Sequence, residues 1–145
     1  MLRKIDQTNE NLLDVIKDYG CLFLCFAYKS PLIFEGDLGV LALNKIWKEA
    51  VKKRYISKND EILEHEKLAN EFFALDVIYD GKHRTAEEEI PENVSFVFGK
   101  FVWKFGHFVV LDKNKKVVFD SLGDSFSVKN GKLESMRWYY NKQNT

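Results

Sequence analysis

Residues 105–120, FGHFVVLDKNKKVVFD, decide how the second half of this chain is read. Two runs of β-branched and aromatic residues flank the polar turn Asp112-Lys113-Asn114-Lys115, which is the pattern of a β-hairpin. A loop of two residues or of four gives paired positions that sum to 227, and His107 and Asp120 form such a pair. Directly opposed residues have Cβ atoms about 5 Å apart, close enough for a carboxylate to accept the imidazole N–H. A three-residue loop would shift the register and separate them. Alternation also predicts that Phe108, Val110, Val117 and Phe119 pack a core, while His107, Val109, Val118 and Asp120 share the other face. Gly106 leaves room beside the histidine, or marks a bulge.

Around this hairpin, everything after Asp76 has the composition of a sheet, with strands expected near 76–79, 94–103, 105–112, 116–120 and 134–140. The acidic stretch Glu87-Glu88-Glu89 before Pro91 reads as a solvated loop.

The first half has helical periodicity. Leu12, Leu13, Val15 and Ile16 recur at helical spacing until Tyr19-Gly20 breaks the pattern. Cys21 to Tyr28 is apolar throughout, as in a helix buried on all sides or a buried strand, and we take it as a helix closed by Ser30-Pro31. Asp37 is a candidate cap for a long amphipathic helix whose apolar face is Leu38, Leu41, Ala42, Ile46, Trp47 and Val51. Asn59 or Asp60 leads into a further segment, with a helix expected near 66–74. Helices first and strands afterwards predict an α+β fold. No repeat, low-complexity tract or linker interrupts the 145 residues, so one domain spanning 1–145 is expected.

Lys plus Arg and Asp plus Glu number 22 each, so no whole-chain field favours nucleic acid or an anionic membrane. The longest apolar run, Cys21 to Tyr28, is far short of the ~20 residues of a membrane helix. Residues 1–13 hold no apolar core of a signal peptide, which predicts a cytoplasmic protein. The preference for Lys over Arg suggests a bacterial, AT-rich genome.

Chemistry centres on three residues. Gly20-Cys21 stands where a loop enters a helix, and a thiol there meets the positive end of the helix dipole, which favours thiolate. Buried apolar cysteines are more often inert, and Cys25 is read so. His107, too, would by itself be an ordinary strand histidine. The joint occurrence of an early Cys at a helix start, a late strand His and an acid on the next strand points to a Cys21–His107–Asp120 triad. His65 and His83 are expected in solvent. A disulfide between Cys21 and Cys25 would be strained, and the two thiols supply only half a metal site, so neither disulfide nor metal is expected. Phosphate loops and dinucleotide glycine patterns are absent, and no cofactor is expected.

Tyr19-Gly20-Cys21, Gly106-His107-Phe108-Val109-Val110 and Phe119-Asp120-Ser121-Leu122-Gly123 resemble the motifs of the papain-like cysteine peptidases, bacteriocin-leader peptidases in particular. Residues 43–56 and 124–137 extend the likeness to uncharacterised papain-like proteins of phages and spirochaete plasmids. The resemblance implies N-terminal helices, with the cysteine at a helix start, packed on a C-terminal antiparallel sheet. It also implies a thiol peptidase or amidase acting on a peptide or protein through Cys21, His107 and Asp120. Relatives place an oxyanion-hole Gln a few residues before the cysteine, whereas Val15 stands six before Cys21; Gln7 is the nearest candidate. Leu22 follows the cysteine where relatives carry a small residue or Trp. Both departures suit an alternative, a papain-like binding module without turnover, of phage or plasmid origin.

Overall fold

A computed structural model describes residues 4–142, which fall into two compact units, residues 4–75 and 76–142. The first is helical. In it α1 (Asp14–Tyr19), α2 (Cys21–Lys29) and α3 (Gly36–Lys52) are followed by one turn of α4 (His65–Lys67), which widens into a π turn over Leu68–Phe72. Buried aromatic rings hold it together: Phe73 receives Phe23, Phe26 and Phe34 at centroid distances of 5.3, 6.3 and 5.6 Å, and Phe23 meets Trp47 edge-on at 5.0 Å. Such pairs add about 1 kcal/mol each beyond the area they bury.

Of the two readings of segment 21–28, helix and buried strand, the favoured helix is the one formed; Phe23 to Ala27 are all buried, and the Lys4 ammonium binds the Ser30 carbonyl at 2.6 Å beyond its C-terminus. Gly20 joins α1 to α2 and must be glycine. A Cβ there would lie 2.4 Å from the Ile16 carbonyl oxygen and 2.7 Å from Ile16 Cγ2. Gly20→Ala is expected to cost about 2 kcal/mol through overpacking, read as a lower urea midpoint; an unchanged midpoint would show that the junction relaxes freely.

Two helical expectations need correction. Glu35, not Asp37, occupies the N-cap of α3, without a capping side-chain bond, and Asp37 sits in the first turn, where its charge suits the helix dipole. The buried stripe of α3 runs through Val40, Leu43, Trp47 and Ala50, leaving Leu38 82 % and Leu41 64 % exposed. Two apolar stripes can be drawn on this helix, and the packing of Trp47 against Phe23 selects one of them. The segment after Asn59 is a turn: Ser57 Oγ accepts the N–H groups of Asn59 and Glu61, and Ile56 bridges Ile62.

The second unit is an antiparallel six-stranded sheet, so the chain is α+β. Its strands are β1 (Val77–Tyr79), β2 (Arg84–Thr85), β3 (Val94–Val102), β4 (Gly106–Leu111), β5 (Val117–Phe119) and β6 (Lys132–Asn141), with a short α5 (Phe126–Asn130) before the last. The order is β1-β6-β3-β4-β5, and β2 also pairs with β6. β2 and α5 were not foreseen. β2 is two residues held by β6, and α5 is five residues capped by Ser125.

Both faces of this sheet are packed. Val97, Val109, Leu111, Met136 and Trp138 form an aliphatic-rich cluster on one face, and Phe96, stacked on Tyr139, groups with the tilted Phe98 ring on the other. His107 shares the face of Val109 and Leu111, opposite Phe108 and Val110, as alternation predicts; that face carries a core cluster of its own, and Val117, expected opposite His107, joins it by pairing with Leu111.

The hairpin register also differs from expectation. Leu111 pairs with Val117 and Val110 with Phe119, which makes Val118 a bulge. The turn spans Asp112–Lys116, with Lys115 at φ 64° and Asp112 Oδ1 accepting the N–H groups of Asn114 and Lys116.

Candidate functional site

Although the register is shifted, His107 and Asp120 meet: Nε2 lies 2.7 Å from Oδ1. The reason lies just past β5, where Asp120 opens a turn closed by the Gly123 N–H on its own carbonyl at 2.9 Å. That turn carries the carboxylate back toward β4. The Leu122 N–H then donates to Oδ1 at 3.0 Å and the Ser125 N–H to Oδ2 at 3.3 Å. Ser125 in turn caps α5 by accepting the Val128 N–H, and Ser127 Oγ donates to the Phe105 carbonyl at 3.0 Å, which ties α5 to the start of β4. The serines at 125 and 127 are thus positioning residues that the sequence reading missed; a Ser at the N-cap of FSVKN was the available signal.

His107 is 5 % and Asp120 7 % exposed. Burial by itself pushes the Asp120 carboxyl upward. The hydrogen bonds from His107, Ser125 and Leu122, with the charge of His107, outweigh it and hold the group below the ordinary carboxylate range. A carboxylate kept ionised beside Nε2 fixes the ring proton there and leaves Nδ1 as the basic nitrogen.

The other predicted residues lie as follows. Cys21, in the helical unit, is the first residue of α2 and is partly exposed, whereas Cys25 is fully buried; no disulfide joins them. Gln7 is buried, and its Nε2 donates to the carbonyls of Ile16 and Lys17 at 3.3 and 2.9 Å, so both amide protons serve α1. His65 is not solvated as expected; it is half-buried and meets Phe26 edge-on at 6.0 Å, while His83 is exposed. The space beside Gly106 is filled by the Lys100 stem, whose Cε would be 2.6 Å from a Cβ there.

Near the pair in sequence is an apolar surface. Trp103 stacks on Phe126 at 5.9 Å, and these rings with Phe105 are 46, 70 and 79 % exposed. Exposed rings grouped in this way mark contact surfaces more often than accident.

Among the described residues no helix is long and apolar enough to cross a membrane. No curated protein and no solved structure matches the chain. Residues 1–141, nearly its whole length, match the model of the family described as "Protein of unknown function, DUF261", and the protein belongs to that family.

Proposed function

We propose that the protein is a papain-like cysteine hydrolase of amide or peptide bonds. Cys21 Sγ attacks the carbonyl carbon, and backbone N–H groups in the first turn of α2 stabilise the oxyanion. His107 takes the thiol proton and passes it to the leaving nitrogen as the C–N bond breaks. A water, deprotonated by His107, then cleaves the thioester and restores Cys21. Asp120 holds the imidazole in one tautomer throughout.

The observation that carries this reading is the buried His107–Asp120 couple, with its carboxylate held ionised by Leu122 and Ser125. A structural histidine needs no such set of donors around its partner. The position of Cys21 at the start of a nine-residue helix, partly exposed, suits a nucleophile.

A second reading, a papain-like binding module without turnover, is favoured by Gln7. Both of its amide protons are engaged by α1, so that side chain supplies no donor to an oxyanion. Loss of one such donor typically lowers the rate by about 10²–10³. The test is the pH dependence of Cys21 alkylation by iodoacetamide in the Cys25→Ser background, with and without His107. Fast labelling in acid that needs His107 supports the hydrolase; slow labelling indifferent to His107 supports the module.

A further inference from the structure

The sheet face opposite His107 carries Arg137, paired in register with Phe98 of β3. Arg137 is only 5 % exposed, yet among the described residues no carboxylate stands within ion-pairing distance of it. Its Nη1 donates to Ser135 Oγ at 2.9 Å and to the Met136 carbonyl at 3.3 Å, and the guanidinium lies 5.3 Å from the centre of the Phe108 ring. Nε and Nη2 have no acceptor among the described residues, and neither is sealed from solvent.

This is unlike Arg84, the other enclosed arginine of the unit, which is matched by Asp80 at 2.5 Å and Glu88 at 3.9 Å. A largely buried guanidinium without a counter-ion is costly, because cation–π contact, neutral acceptors and a narrow solvent edge replace only part of its lost hydration. More positive charge gathers where less is expected. Lys100 Nζ lies over the same Phe108 ring at 6.0 Å, and its one ion-pair partner among the described residues, Glu134, is 3.9 Å away and half-exposed. His83, exposed at the rim, is driven toward its neutral form first by desolvation and then by the positive charges of Arg137 and Lys100.

We propose that Arg137, with Lys100 and His83, binds the oxyanion group of a ligand, a carboxylate or a phosphate. The guanidinium fork fits either anion through two parallel hydrogen bonds, and Nε and Nη2 form the edge that would make them. Lys100 adds a second positive charge, and His83, which precedes the Arg84 that pairs with Met136, offers a neutral N–H donor. This assignment does not depend on the hydrolase reading, since it lies on the other face of the sheet from His107.

The test follows thermal unfolding of the full chain while inorganic phosphate or acetate is titrated at constant ionic strength made up with sodium chloride. One of the two anions is expected to raise Tm with the logarithm of its concentration once this exceeds the dissociation constant, by about 6 °C at a hundredfold excess. Whichever protects identifies the ligand chemistry. In Arg137→Met the rise is expected to vanish, while Tm without added anion equals or exceeds that of the wild type, because no counter-charge is left unpaired. Should that variant not fold, Arg137→Lys keeps the charge and loses the fork, and the rise should then shrink at least tenfold in apparent affinity. No rise of the wild-type Tm with either anion at constant ionic strength, or equal protection of wild type and variant, overturns the proposal.

Discussion

Replacing His107 with alanine is expected to slow the alkylation of Cys21 by roughly 30-fold at pH 5, and to change the shape of its pH profile. An ordinary thiol is ionised to only about 0.03 % at pH 5, whereas the sulfur of a thiolate–imidazolium pair is ionised throughout, a difference of about 3000-fold in reactive species. A stabilised thiolate is also a weaker nucleophile, which gives back about a hundredfold. The net effect is the quotient of these two. The profile is the more robust readout: nearly flat from pH 5 to 8 in Cys25→Ser, and rising about tenfold per unit in Cys25→Ser/His107→Ala. A profile that rises tenfold per unit in both proteins would refute the hydrolase and leave the binding module.

Asp120→Ala is expected to cost about 3 kcal/mol at pH 7, the largest loss predicted for a single side chain here. Asp120 is buried and accepts from His107, Leu122 and Ser125, so truncation strands three donors at once. The pH dependence has a definite sign. Because the carboxyl is held below its unfolded value, its contribution is fully present above about pH 4 and is lost as pH falls through the lowered folded value. Urea unfolding at pH 7 and pH 3 should therefore show a wide gap between wild type and variant at pH 7 and a narrower one in acid. A gap of the same width at both pH values would mean that the charge of Asp120 contributes nothing, and that only its shape does.

How much of this was legible before folding varies with the interaction. The α+β class followed from periodicity alone, since helical spacing before Leu75 and β-branched alternation after Asp76 are local properties. Gly20 as the break between two helices and five of the six strands followed for the same reason. His107 and Asp120 were paired correctly by a register that the protein does not adopt. The bulge at Val118 and the left-handed Lys115 shift the hairpin, and the turn after Asp120 recovers the contact. A bulge adds one unpaired residue at a point that alternation does not mark, so the linear pattern could not locate it.

Local pattern alone therefore carried the α+β class, five of the six strands and the meeting of His107 with Asp120. Which stripe of α3 is buried, where Gln7 spends its amide protons, which serines hold Asp120, and that Arg137 is enclosed without a counter-ion were decided by tertiary structure alone. Each of these depends on groups far apart in the chain or on how a turn is closed, and a linear pattern carries neither.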